Sequence, residues 1–246
     1  MVYRNYKMIA DYHTHTIFSH GKGTIEDNVV VAVEKGLKEI AISDHGPGHL
    51  TYGVKRSSIP VMRKEIDRLN EKYPNINIYL SVEANVVNRD NYLDVSKEEY
   101  DNYDFVIAGY HYGITKGYCI PNYLYEHGIF KNNRRFRKLA EQNTEMYVNT
   151  INNNKLKILT HPGDKGPVFM EEIAKACAKN NVLMEINSRH THLTVEEIKI
   201  AMKEDVKFVI SSDAHRPEAV GTFQGGLDRA ISAGLDLKRI VNIEEV

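Results

Sequence analysis

Again and again along this 246-residue chain, a short apolar run ends on a histidine or a carboxylate. Met8-Ile9-Ala10 leads into Asp11-Tyr12-His13-Thr14-His15, and Glu39–Ser43 into Asp44-His45. Asn77–Val82 leads to Glu83, Phe105–Tyr110 to His111, Leu156–Thr160 to His161, and Phe208–Ser212 to Asp213-Ala214-His215. A further run, Val182–Ile186, ends on Asn187. Helical segments are predicted between these strands: one capped by Thr24 with Asp27 three residues on and closed at Gly36, then 60–72, 131–152, 168–180, one capped by Thr194 and reaching Lys203, and 226–233. Repeated βα units imply parallel strands with helical crossovers. Strand ends of a βα barrel converge on one rim, so residues two hundred positions apart would share one cup; an open sheet would string them along an edge. The expectation is an α/β fold, a distorted TIM-like (β/α)7 barrel, built as one domain over residues 1–246.

The residue types at those ends narrow the chemistry. On a strand, His13 and His15 project to the same face, and two neutral imidazoles side by side can share one ion or two adjacent ions. A net charge of −1 leaves no basic footprint for nucleic acid. The single basic cluster, Lys131, Arg134, Arg135, Arg137 and Lys138, falls on a predicted helix and reads as a solvated face. The polar stretch 1–7 lacks the apolar core of a signal peptide, and no run approaches the ~18 apolar residues of a membrane span. Cys119 and Cys177 lack metal or redox spacing, so reduced thiols and a cytoplasmic location are expected.

His13-Thr14-His15, His20, Ser43-Asp44-His45, Glu83, His111, His161-Pro162-Gly163 and Ser212-Asp213-Ala214-His215 together resemble the successive motifs of the PHP (polymerase and histidinol phosphatase) superfamily. Ile42-Ser43-Asp44-His45-Gly46-Pro47-Gly48 and Ile107-Ala108-Gly109-Tyr110-His111 are most similar to its stand-alone YcdX-like phosphatases, although the interval from His15 to His20 is one residue shorter here. The resemblance implies a trinuclear site of divalent ions, with zinc expected first and manganese or iron as alternatives. It implies that His13, His15, Glu83 and Asp213 hold the first ion. Glu83 would bridge to a second held also by His111 and His161, and His20, His45 and His215 would hold the third. It further implies hydrolysis of a phosphate monoester of a small phosphorylated metabolite by metal-bound hydroxide, with Glu83 and Asp213 central to catalysis.

Elementary charge counting agrees. Three divalent ions bring about +6 and two carboxylates about −2, so the filled cup would attract hydroxide and a doubly charged anion. Arg189 and Arg216 follow the last two strands and read either as solvated surface or as phosphate clamps. His49, His127, His190 and His192 read as loop histidines, with His49 able to line the cup. Asp11 is placed to orient a neighbouring histidine, whereas Asp44 should point away. The alternatives are a histidinol-phosphate phosphatase specifically, a DNA 3′–5′ exonuclease or phosphoesterase, which would want a basic stripe leading to the cup, and a non-catalytic metal-binding module.

Overall fold

A computed structural model describes residues 6–129 and 131–246. A short strand β1 (Tyr6–Met8) precedes seven parallel strands: β2 (Ala10–Thr14), β3 (Glu39–Ile42), β4 (Asn77–Asn85), β5 (Phe105–Gly109), β6 (Ile158–Leu159), β7 (Leu183–Asn187) and β8 (Phe208–Ser211). These lie side by side in sequence order, each hydrogen-bonded to the next. Helices α1 (Ile25–Glu34), α2 (Ile59–Lys72), α3 (Cys119–Glu126), α4 (Asn133–Asn153), α5 (Met170–Asn180), α6 (Val195–Ala201) and α7 (Gln224–Ala233) connect and flank them. The expected distorted seven-strand barrel is what the chain forms. Thr24 and Thr194 each make a reciprocal capping box, with Asp27 and Glu197, and Gly36 follows α1 at a φ of 73°.

Two elements lie outside the expected pattern. The Gly- and Tyr-rich stretch after β5 contains α3, which starts despite Pro121 because a proline in the first helical turn forfeits no helix hydrogen bond. The last apolar piece does not extend the barrel; it leads to β9 (Ile243–Glu245), which pairs antiparallel with β1. Three-residue strands carry too little alternation to be read from sequence.

Alternation along the strands divides the barrel into layers. On β4, Val82 and Ala84 face the helices, while Glu83, level with Ile107 of β5, faces the interior. The lower interior is apolar: Ile107, Ile158 and Val209 pack with Tyr12, Phe105 and Leu183. Lys157 covers this layer, its ammonium 4.1 Å from the ring centroids of both Tyr12 and Phe105. Above it the interior turns polar, with His13, Glu83 and Glu185 all fully buried.

Closure joins β8 to β2 in two ways. At the rim, His15 N donates to Ala214 O at 2.8 Å and Ala214 N to His13 O at 3.3 Å. Lower down, a side chain replaces the ladder. Buried Asn242 donates from Nδ2 to Ala10 O at 2.7 Å and Ile210 O at 2.6 Å, and accepts from Ile210 N at 3.0 Å. Asn242→Ala strands these backbone groups at ~1–3 kcal/mol each. Denaturant unfolding of the metal-free variant should therefore show a loss of about 3 kcal/mol or more; a loss under about 0.5 kcal/mol, the level of an ordinary surface substitution, would remove Asn242 from the seam.

Candidate metal centre

The strand ends deliver their polar side chains into one cup. The register of β2 on β3 shifts between Asp11 and Thr14. This irregularity lets Tyr12 join the apolar layer while the next residue, His13, also turns inward. His13 Nε2 and His15 Nε2 stand 3.1 Å apart. Facing them are Glu83 Oε2, at 3.3 and 3.7 Å, and Asp213 Oδ1, at 3.7 and 3.2 Å. Glu83 turns its other oxygen the opposite way: Oε1 is 2.9 Å from His161 Nε2 and 3.3 Å from His111 Nε2, and accepts from Thr160 Oγ1 at 2.8 Å. One carboxylate thus faces two groups of imidazoles.

A third group forms where His15 lies between His45 and His215, with ring centroids 4.3 and 4.2 Å away. His20 is on the exposed edge, 4.9 Å from His215 and 6.1 Å from His45, with its ring stacked 3.9 Å from Tyr52. The structure therefore brings eight of the nine expected ligands into direct proximity and puts His20 at their border.

The electrostatics follow from burial and neighbours. Burial opposes the charged form of His13, but Glu83, Glu185 and Asp213 outweigh it and raise its pKa well above the usual imidazole value. Burial likewise opposes ionised Glu83 and Asp213; for Glu83, His111 and His13 prevail, for Asp213, His13 and His15, and both carboxyls are held well below their usual range. His15 and His45 go the other way: burial, reinforced by neighbouring imidazoles, lowers both. The chain has thus gathered ionised carboxylates, a His13 that favours its charged form, and His15 and His45 that favour the neutral one, in one enclosed space.

Four buried atoms there, Glu83 Oε2, His15 Nδ1, His45 Nδ1 and His161 Nδ1, have no hydrogen-bond partner among the described residues. His45 Nδ1 and Glu83 Oε2 are 3.0 Å apart but lack hydrogen-bond alignment. Leaving such atoms unpaired costs ~1–3 kcal/mol each. Imidazole and carboxylate lone pairs aimed at shared space are the donor set of a transition-metal centre, so the residues fit divalent ions.

Several supporting residues carry no mark in the strand-end pattern. Glu185 lies inside an apolar strand, two residues before its end. Its Oε1 accepts from His13 Nδ1 at 2.7 Å, and Oε2 from His161 N at 2.9 Å and Asn187 Nδ2 at 3.0 Å. His190, expected in a loop, places Nε2 3.2 Å from Asp213 Oδ2 and Nδ1 3.5 Å from Asp164 Oδ1. Burial notwithstanding, Asp164 and Asp213 raise its pKa to about 9. Asp11 does not orient a histidine ring; its carboxylate accepts from Ser212 Oγ and Gly221 N, fixing the end of β8. Asp44 accepts from Thr16 and Ser19 and pins the loop leading to His20. His161 and Asp213 both hold positive φ, 28° and 50°, in a region that costs non-glycine residues ~1–3 kcal/mol. The hydrogen bond that His161 N donates to Glu185 Oε2 helps hold that geometry.

Beside the cup a cleft of ≈ 540 Å³ is lined by His20, Lys22, Arg189, Asp213, His215 and Arg216, among others. Exposed Arg189 reaches 3.6 Å from Asp213 Oδ1 and 3.0 Å from His215 Nδ1. The basic residues of α4 do not line this cleft.

The family model for the PHP domain matches residues 11–189. The chain belongs to the PHP family. A relative from Shewanella oneidensis named "Probable phosphatase" is 30% identical, over 91% of this chain and 81% of its own length. Another of the same name, from Shewanella piezotolerans, is 28% identical over 96% of this chain and 90% of its own. Among solved structures, the histidinol phosphate phosphatase of Lactococcus lactis, complexed with zinc, L-histidinol and phosphate, superposes with a TM-score of 0.61 at 17% identity, covering 93% of this chain and 94% of that one.

The missed carboxylate gives the sharpest test of the site. Glu185→Gln keeps the shape, but its amide must turn donor hydrogens toward His161 N and Asn187 Nδ2 or lose its bond from His13. Metal retained after dialysis against a chelator should correspond to about 10–100-fold weaker affinity with the fold intact; wild-type retention would show that Glu185 does not orient His13.

Proposed function

We propose that this chain is a cytoplasmic, single-domain metal-dependent phosphatase that hydrolyses phosphate monoesters of a small metabolite at a three-ion site. The observation that carries the reading is Glu83: a fully buried carboxylate with one oxygen toward His13 and His15 and the other toward His111 and His161. His13, His15, Glu83 and Asp213 would hold the first ion, Glu83, His111 and His161 the second, and His45 and His215 the third, with His20 or His15 completing it. Zinc matches the nitrogen-rich donor set best, with manganese or iron as alternatives. Bound divalent ions would supply an acidified water and positive charge against the phosphate oxygens.

The chain's own residues have separate tasks. Glu83 and Asp213 offset the ions' charge, and Glu185 and His190 fix the orientation of His13 and Asp213. Arg189 and Arg216 line the cleft beside the cup and are placed to bind phosphate oxygens outside the ion set. The apolar layer below His13 keeps water out of the barrel's lower half. Two candidate side-chain nucleophiles are poorly placed: Cys177 is buried with its thiol pKa pushed up by desolvation, and Ser212 Oγ is committed to Asp11.

The phosphatase name of the relatives and the phosphate held by the Lactococcus protein support the same substrate class. Turnover of phenyl phosphate should exceed that of a diester and of single-stranded DNA ends at physiological salt. Faster degradation of DNA would establish the exonuclease alternative instead.

Arg189→Ala and Arg216→Ala should each raise KM for phenyl phosphate about tenfold, the loss of one charge-assisted contact, with smaller effects on kcat. Unchanged KM in both would return these residues to the solvated surface.

A further inference from the structure

The loop after β3 runs His45-Gly46-Pro47-Gly48-His49, and a half-buried carboxylate packs against its two glycines. Asp94 Oδ1 accepts from Asn85 N at 2.7 Å; Oδ2 accepts from Gly48 N at 2.7 Å and from Asn85 Nδ2 at 2.6 Å. The approach is close: a Cβ on Gly46 would lie 2.5 Å from the Asp94 carboxylate oxygens, and one on Gly48 2.7 Å from Asp94 Cβ. Both positions need glycine for the carboxylate to sit there.

The second neighbour of Asn85 Nδ2 is Gly46 O, at 3.3 Å. Both groups facing Nδ2 are acceptors, which settles the orientation of the amide. Asn85 Oδ1 is thereby turned to His111 Nδ1, 2.9 Å away. An amide oxygen only accepts, so His111 carries its ring proton on Nδ1. Its Nε2 then presents a lone pair to the cup, 3.3 Å from Glu83 Oε1. With the ring neutral, two acceptors face one another at this distance, and the space between them suits a cation or a second ring proton.

We propose that Asp94 is a positioning residue: through Asn85 it holds His111 in the tautomer whose Nε2 faces the cup, and through Gly48 N it ties that tautomer to the loop bearing His45. The role at the ions rests on the reading of His111 as a ligand. His13 is oriented by Glu185 in one step; His111 is oriented in two, by a carboxylate relayed across an amide. Direction comes from Asp94 being acceptor-only. An amide in its place brings a donor: its NH2 faces either Asn85 N, at the cost of that bond, or Gly48 N and Asn85 Nδ2, and then Asn85 must turn over. In the second arrangement the Asn85 NH2 faces His111 Nδ1, and the ring proton resides on Nε2, toward Glu83.

The test is nitrogen-15 NMR of the ring nitrogens in metal-free protein, with the His111 signals identified by their loss in H111Q. At a pH where the ring is neutral, wild type should show Nδ1 protonated and Nε2 bare. D94N should populate the Nε2 tautomer, and N85A, which cuts the relay without altering Asp94, should show both tautomers. The swapped pair D94N/N85D restores an acceptor opposite His111 and should return the proton to Nδ1. Zinc titration against a competing chelator should find one ion bound about 10–100-fold more weakly in D94N, with at least half of that loss, on a logarithmic scale, recovered in the swap. The tautomer is read without metal or substrate, so its outcome is separate from the phosphatase reading. With the ring neutral, a wild-type His111 protonated on Nε2, a pure Nδ1 tautomer in N85A or D94N, or a swap no better than D94N would overturn the proposal.

Discussion

A carboxylate at the centre of a barrel, with no solvent exposure, is the constraint on which the rest of this structure turns. An ion of that kind is costly to bury unless paired. Among the described residues no lysine or arginine pairs with Glu83; His13, His15, His45, His111 and His161 surround it. Five rings on three strand ends, those of β2, β5 and β6, and the loop after β3 can converge on one carboxylate only if those ends meet. The barrel's curvature, its seam through Asn242 and the bulge in β2 are the means by which they do. Held this way, the cup is stable as a scaffold yet unsatisfied as a hydrogen-bonding group, and cations are the natural completion.

The supports around the cup share one logic. Each places an acceptor behind an imidazole or a donor behind a carboxylate, so that the remaining lone pairs point inward. Glu185 does this for His13, Asn85 and Asp94 for His111, and His190 for Asp213. Positive φ at His161 and Asp213 belongs with these features, because local backbone strain is tolerated where surrounding bonds over-determine it.

The barrel and the cup were legible in the sequence because both follow from local patterns. Short apolar runs mark the strands, Thr24 and Thr194 mark helix starts, and strand-end histidines and carboxylates mark the rim. Glu185 and Asp94 were not legible, because a carboxylate within an apolar strand or an irregular loop has no signature until its partner, 172 residues away for Glu185 and His13, is known. The role of Asp11 was misjudged for a related reason: period-two geometry says which face a side chain takes, and here a bulge resets it. His20 stands between these cases, adjacent to the cup but stacked on Tyr52, whose position in the loop after β3 no strand pattern predicts.

The central claim is that the cup exists to hold metal. Elemental analysis of wild-type protein purified without added metal tests it most directly. The account predicts between two and three transition-metal ions per chain, as the donor groups around Glu83 and Asp213 can accommodate. Less than one ion per chain, with no phosphatase activity restored by zinc, manganese or iron, would contradict it.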